Sequence, residues 1–214
     1  MKPRLVILGC GGHGKVVADA AAATWDVLGF ADENPDRMGT TITGDLSVVV
    51  VGVDALAGYC REHDAAVVIA VGHNLARKHL FERLSATGLT LATVIHPSAV
   101  ISATATIGAG TVVFAGTVVN PDTTIGDNVI VNTGATIDHD SKVADHAHLS
   151  PGVATGGTVT IGQGTHLGVG VSVRNNTDIG AWSVVGVGAA VVQNLPDNVV
   201  AYGVPARVVA KYEP

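Results

Sequence analysis

Cysteine and aromatic residues are scarce in this 214-residue chain, which has two Cys, two Trp, three Tyr and three Phe. Cys10 and Cys60 supply neither a disulfide framework nor a metal-ligand spacing. Charge is thin as well: 14% of residues are charged, with 12 Lys and Arg against 18 Asp and Glu and a formal net charge of −6. No Lys/Arg cluster is present, which argues against nucleic acid or an anionic membrane surface as partner. Long apolar runs are missing too. Although the mean hydropathy is positive, runs such as residues 48–51 are far too short to cross a bilayer. The first four residues lead straight into Leu5, Val6, Ile7 and Leu8 without the h-region of a signal peptide, so the expected location is cytoplasmic.

What the chain has in abundance is a six-residue repeat. From Ile101 the in-frame residues are Ile107, Val113, Val119, Ile125, Val131, Ile137, Val143, Leu149, Thr155, Ile161, Leu167, Val173, Ile179, Val185 and Val191. Fifteen of the sixteen are aliphatic, Thr155 being the exception. The residue two places earlier is small or β-branched, as in Ala105, Thr111, Thr117 and Ala135. A period of six fits neither a helix nor a hairpin and argues for a solenoid. The reading is a β-helix in which each hexapeptide makes one short side and a turn, three sides closing a coil, with coils about 4.8 Å apart. Gly108, Gly126, Gly162, Gly168, Gly180 and Gly186 follow the aliphatic residue, where the turn is expected to need a positive φ.

The N-terminal part reads as alternating strands and helices. A buried strand at Arg4–Leu8 runs into Gly9, Cys10, Gly11, Gly12, His13, Gly14 and Lys15, then a helix over residues 16–23. Gly9, Gly11 and Gly14 fit the G-x-G-x-x-G fingerprint between a strand and a helix, where backbone N–H groups can meet phosphate. Further strands are expected over residues 27–31, 66–71 and 89–95, and helices over residues 54–63 and 74–87. Residues 35–53 carry turn glycines and a candidate edge strand at 46–51. This is a Rossmann-like half-domain, fitted to a mononucleotide or a nucleotide diphosphate better than to NAD. The expected organisation is a nucleotide-binding α/β domain over residues 1–96, a β-helix over residues 97–193, and a cap over residues 194–214 that protects the open β edge.

Several motifs run through both parts: the glycine loop at residues 9–14, the Asp32/Glu33 pair, Gly72-His73-Asn74 before a helix carrying Arg77 and Lys78, Ile95-His96-Pro97-Ser98-Ala99, residues 132–140 (NTGATIDHD), and Gly203-Val204-Pro205-Ala206. Together they resemble the hexapeptide-repeat acetyltransferases of nucleotide-linked amino sugars. That family includes the N-acetyltransferases of bacillosamine and perosamine synthesis and the sialic acid O-acetyltransferases. The resemblance implies a left-handed parallel β-helix, acetyl-CoA as co-substrate without a metal, and a homotrimer with sites between subunits. Residues 35–53 depart from the family's usual spacing and His73 stands where another residue is common, so the nucleotide base is left open.

His139 lies two residues past the inward Ile137, on a turn that points it outward, between Asp138 and Asp140. Taken alone, this is a solvated corner more often than a base; the family motif reverses that and makes His139 the general base and Asp140 its orienting partner. Gly157 is eighteen residues beyond His139, on the same corner one coil later. The resemblance gives its N–H to the acetyl carbonyl, and corner geometry is its structural alternative. By the same resemblance His148 lies near the acetyl group and Asn132 at the sugar, although Asn also suits a left-handed turn; coenzyme A is expected to run along the coils toward the C-terminal cap, where Arg207 or Lys211 meets its phosphates. Gly11, Gly12, His13, Gly14 and Lys15 are placed at the diphosphate, and Asp32 and Glu33 at the ribose or base. His146 and His166 read as surface or interface histidines.

The reaction implied is direct N-acetylation of a sugar amine. No covalent acetyl-enzyme is expected, since neither cysteine lies in the repeat. Three other readings stand beside it: an O-acetyltransferase, a zinc carbonic anhydrase on the same solenoid using His139, His146, His148 or His166, and a nucleotide-binding scaffold without activity.

Overall fold

In a computed structural model describing all of residues 1–214, β1 (Arg4–Leu8) is buried on both faces, with Leu5, Val6 and Ile7 fully enclosed. An unbroken aliphatic run produces this, because a strand covered by helices on both sides has no polar face. Around it are α1 (Gly12–Ala21), β2 (Asp26–Asp32), β3 (Thr41–Thr43), β4 (Leu46–Val51), α2 (Val53–Glu62), β5 (Ala65–Ile69) and α3 (Asn74–Ser85). The sheet order is β3-β4-β2-β1-β5, parallel except for the β3–β4 pair. Val6 and Leu8 share a core with Leu56 and Cys60 of α2 and Leu84 of α3. These elements belong to a first unit, Met1–Pro97.

Two expectations change here. The strand at 46–51 is not an edge, because β3 covers it. The strand expected over residues 89–95 reduces to a bridge between Leu91 and Val67 and the pair Val94–Ile95.

The second unit, Ser98–Pro214, is a stack of coils built from two-residue strands. Residues eighteen apart pair in parallel, as in Val118 with Val100 and Thr136, Lys142 with Thr124 and Thr160, and His148 with Ile130 and His166. These three pairings define three faces of a prism. From Val113 to Val191 every in-frame residue points inward and is at most 7% exposed. Burying each such aliphatic side chain is worth about 1.5–3 kcal/mol.

The corner glycines need a different explanation from the expected one. Positive φ falls three residues after the aliphatic position: at Gly116, Gly134, Gly152, Gly170 and Gly188 on one corner, at Asp122, Asp140, Thr158 and Asn176 on the second, and at Gly110, Asn128, His146, Gly164 and Trp182 on the third. The glycines directly after the aliphatic residue are required instead by the next coil. A Cβ on Gly168 would lie 2.8 Å from the Val187 nitrogen, and one on Gly162 2.6 Å from the Gly180 carbonyl carbon. Carboxylates use the same tight space to stitch coils together, Asp127 accepting from the Ala109 N–H at 2.7 Å and Asp145 from the Asp127 N–H at 2.8 Å.

After the last coil, Val199–Tyr202 pairs in parallel with Val184–Val185 and antiparallel with Arg207–Lys211, which ends the ladder. No helix of the chain is long and apolar enough to cross a membrane.

Candidate functional site

The corner carrying His139 is built from two neighbouring aspartates that do different things. Asp138 accepts the His139 N–H at 2.9 Å and the Asn120 side-chain amide at 2.8 Å, both on Oδ1. These bonds, the one from His139 first, hold the Asp138 carboxyl below its ordinary range. Asp140, at φ 58 in the left-handed region that Asp tolerates, turns its carboxylate back onto His139. His139 Nδ1 and Asp140 Oδ2 are 2.7 Å apart. This bond, with the negative charge of Asp138, raises the imidazole pKa above its ordinary value. The Nδ1 side being engaged, Nε2 is the free nitrogen, and the ring is exposed.

Beneath the ring lies Gly157. A Cβ there would come within 2.5 Å of His139 Cε1 and 2.6 Å of Nε2, so only glycine leaves room for the imidazole. Thr155, the exception in the aliphatic frame, is buried and accepts the Asp138 N–H on Oγ1 at 3.2 Å.

His148 and Asn132 come together elsewhere. Asn132 Nδ2 and His148 Nε2 are 3.4 Å apart, the His148 ring stacks on His166 at 4.6 Å, and His166 Nε2 meets Ser150 Oγ at 2.9 Å. Both histidines project from the face formed by the Ile130, His148 and His166 rows. His139 sits at the corner between the other two faces, opposite this one. One chain therefore does not gather His139 and His148 into one site. His146 is buried against Asn128, with Nδ1 and Nδ2 2.9 Å apart. No three His, Cys, Asp or Glu side chains converge in metal-binding geometry. Arg207 is exposed on the last strand and donates to the Ala206 carbonyl.

In the first unit a cleft of about 320 Å³ opens over the glycine loop, lined by Cys10, Gly11, Gly12, Lys15, Arg37 and Thr40 to Ile42. The three fingerprint glycines divide their labour. Gly9, at φ +111, abuts the Ala70 carbonyl, and Gly14 lies against the Gly9 carbonyl and Phe30, so both are steric necessities of the fold. Gly11 caps α1 with nothing within 4 Å of a hypothetical Cβ; the space before it is open to a ligand.

Not every expected residue lines the cleft. His13 is turned inward, and burial together with the Arg77 charge pushes its pKa down to about 4. Arg77 is itself enclosed, lowered to about 9 by burial, and donates to the Val71 and Gly72 carbonyls and to Asn74. Asp32 accepts from the Cys10 thiol at 2.7 Å and the Asn34 N–H at 2.9 Å. Burial opposes ionisation of Asp32, but these bonds and the Arg37 charge outweigh it and lower its pKa. Glu33 is exposed. Sequence reasoning missed Arg37, whose Nη1 donates to Cys10 Sγ at 3.1 Å. The segment 35–53 has no periodicity that would place it beside the glycine loop, and a lone Arg after Pro-Asp was its only signal.

Comparison with known proteins bears on both units. Residues 4–84 match the family described as the PglD N-terminal domain. The whole chain is similar to a histidine-to-asparagine variant of perosamine N-acetyltransferase from Caulobacter crescentus, solved with CoA and GDP-perosamine: 37% identity, TM-score 0.89, and 97% of each chain covered. It is similar in the same way to the acetyltransferase domain of PglB from Neisseria gonorrhoeae, solved with acetyl coenzyme A, at 34% identity and TM-score 0.89, covering 98% of this chain and 100% of that one. A UDP-N-acetylbacillosamine N-acetyltransferase of Bacillus subtilis is 37% identical over 107 residues, a match spanning 50% of this chain and 49% of that protein. The fold held in common is an α/β N-terminal domain followed by a left-handed β-helix.

Proposed function

This chain belongs to the N-acetyltransferases of nucleotide-linked amino sugars, and from that membership we propose that it moves the acetyl group of acetyl-CoA directly onto the amine of such a sugar, with His139 as general base. The observation that carries the assignment is the His139–Asp140 pair at 2.7 Å, with the ring lying over Gly157. Asp140 fixes the tautomer that leaves Nε2 as acceptor. The neutral sugar amine attacks the thioester carbonyl, and Nε2 takes the amine proton as the C–N bond forms. The carbonyl oxygen, now an oxyanion, is met by the Gly157 N–H, which donates to no group of the chain. Collapse breaks the C–S bond; coenzyme A leaves with the proton that His139 returns.

The nucleotide diphosphate is assigned to the cleft over Gly11 and Gly12, where α1 presents its N-terminal N–H groups and Lys15 and Arg37 supply positive charge. Asp32 and Glu33 follow at the end of β2, on the side of the ribose and base. His148 and Asn132 enter the acetyl and sugar site from a second copy of the chain, since they lie on the face opposite His139. A homotrimer with three shared sites satisfies this arrangement. Sedimentation as a stable monomer at micromolar concentration would remove the shared site. Arg207 is assigned to coenzyme A phosphate on the strength of its exposed place on the terminal strand.

The direct test supplies acetyl-CoA with UDP-linked and GDP-linked 4-amino sugars in turn and follows thiol release. Saturable release that depends on one of the amino sugars, with formation of its N-acetyl derivative, is the expected result. Thiol release with none of them, under conditions where acetyl-CoA binds, would contradict the proposal.

A further inference from the structure

Along the β-helix, the residue after each inward position gives its N–H to the carbonyl of the in-frame residue one coil on. Ser102 donates to Val119, Asn120 to Ile137, Asn132 to Leu149, Ala144 to Ile161, Gly156 to Val173 and Arg174 to Val191, all at 2.8–3.0 Å. Asp138 departs from the rule. Its N–H bypasses the Thr155 carbonyl and goes to the Thr155 hydroxyl at 3.2 Å. Strand pairing breaks at the same point: Thr136 pairs with Ala154, but Ile137 and Thr155 do not pair. Above and below, pairing is complete, Val118–Val119 with Thr136–Ile137 and Ala154–Thr155 with Ser172–Val173. The ladder is thus opened by one rung, beside His139.

Thr155 is also the one position among sixteen where the aliphatic frame fails. Valine would fill the same volume without burying a hydroxyl, so packing does not account for the threonine. The hydroxyl's role is the bond to Asp138. That residue is gripped on two sides, its N–H by Thr155 and its carboxylate by Asn120 and by the His139 N–H. Two residues beyond Thr155 lies Gly157, the floor under the imidazole. A single coil step therefore supplies both the floor beneath the ring and the bond that holds the backbone carrying it.

We propose that Thr155 is a positioning residue of the acetyl-transfer site: its hydroxyl, standing in for a ladder carbonyl, keeps the rung beside Asp138 open and sets the orientation of His139 over Gly157. The proposal rests on the reading of His139 as the base. Without the hydroxyl, the Asp138 N–H turns to the carbonyl of residue 155, as in every other coil, and the ring is carried with it.

Thr155→Val and Thr155→Ser test this together. The Val variant is expected to fold with an unfolding midpoint at or above that of the unaltered protein, because it regains a regular ladder and an aliphatic frame. Its KM values should stay unchanged while kcat falls roughly 10- to 100-fold, the scale of a small misplacement of a reacting group. The Ser variant, which keeps the hydroxyl, should recover most of that loss. A second readout needs no substrate: the NMR titration of the His139 ring should move to lower pH in the Val variant and stay in place in the Ser variant. Wild-type kcat with an unmoved titration in the Val variant, a Ser variant as impaired as the Val variant, or a Val variant that does not fold would each overturn the proposal. Should the unaltered protein acetylate no nucleotide-linked amino sugar, the reading of His139 as base fails instead, and the imidazole titration still decides whether Thr155 governs the ring.

Discussion

The imidazole of His139 faces opposing demands. Asp140 makes it a stronger base by raising its pKa, and the same shift leaves more of it protonated at a given pH, a form that cannot act as the proposed base. Activity should therefore fall as pH drops through the raised His139 pKa, above the ordinary value of 6.5. Asp140→Asn keeps an oxygen near Nδ1 but removes the charge, so the acid limb of kcat/KM should move to lower pH while the plateau drops. A pH profile of the two proteins checks both signs; an acid limb that moves to higher pH would assign the titration to another group. At this scale much was legible beforehand. The outward placement of His139 followed from its offset against Ile137, and that of Gly157 beside it from the eighteen-residue step, while their roles came only from the family motif. The reason for Thr155 was not legible, because a frame break says nothing of which backbone donor the hydroxyl meets.

At the scale of elements, the glycine loop joins a strand to a helix through residues that look alike in sequence and behave differently in space. Gly14→Ala would drive a Cβ into the Gly9 carbonyl, and the protein should lose stability whatever the ligand. Gly11→Val meets nothing within 4 Å and sits at φ −78, a conformation open to any residue. Because Gly11 is the N-cap of α1, where Val is less favourable than Gly, stability should fall by about 1 kcal/mol, without the backbone clash that Gly14→Ala creates. The valine side chain fills the space before α1, so the KM for nucleotide sugar should rise while that for acetyl-CoA holds. Thermal unfolding and steady-state kinetics on the two variants separate the roles; equal loss of both affinities in Gly11→Val would reject the assignment of this cleft. The six-residue period was readable because every sixth side chain enters the core. The positions of positive φ were not, since Gly, Asp, Asn, Thr, His and Trp all occupy them. Residues 35–53 were opaque for another reason: β3 has three residues, and its pairing with β4 depends on turns at Gly39 and Gly44 that no local period reports.

At the scale of the whole molecule, two units carry two different features: a helix N-terminus facing an open cleft, and a corner histidine held by two aspartates. Within one chain the row bearing His148 lies opposite the corner bearing His139, and on the proposed reading a second copy brings the two together. That arrangement was legible in part, as nine residues between two histidines in an eighteen-residue coil already puts them half a turn apart. The central claim, proton removal by His139 during acetyl transfer, is tested most directly by the turnover of His139→Ala with acetyl-CoA and the accepted nucleotide-linked amino sugar. Because the ring lies outside the core, folding and both KM values should be kept while kcat falls by roughly 10²–10⁴ at neutral pH, with partial recovery as rising pH leaves more of the amine neutral. Near-normal turnover of that variant at neutral pH would contradict the account.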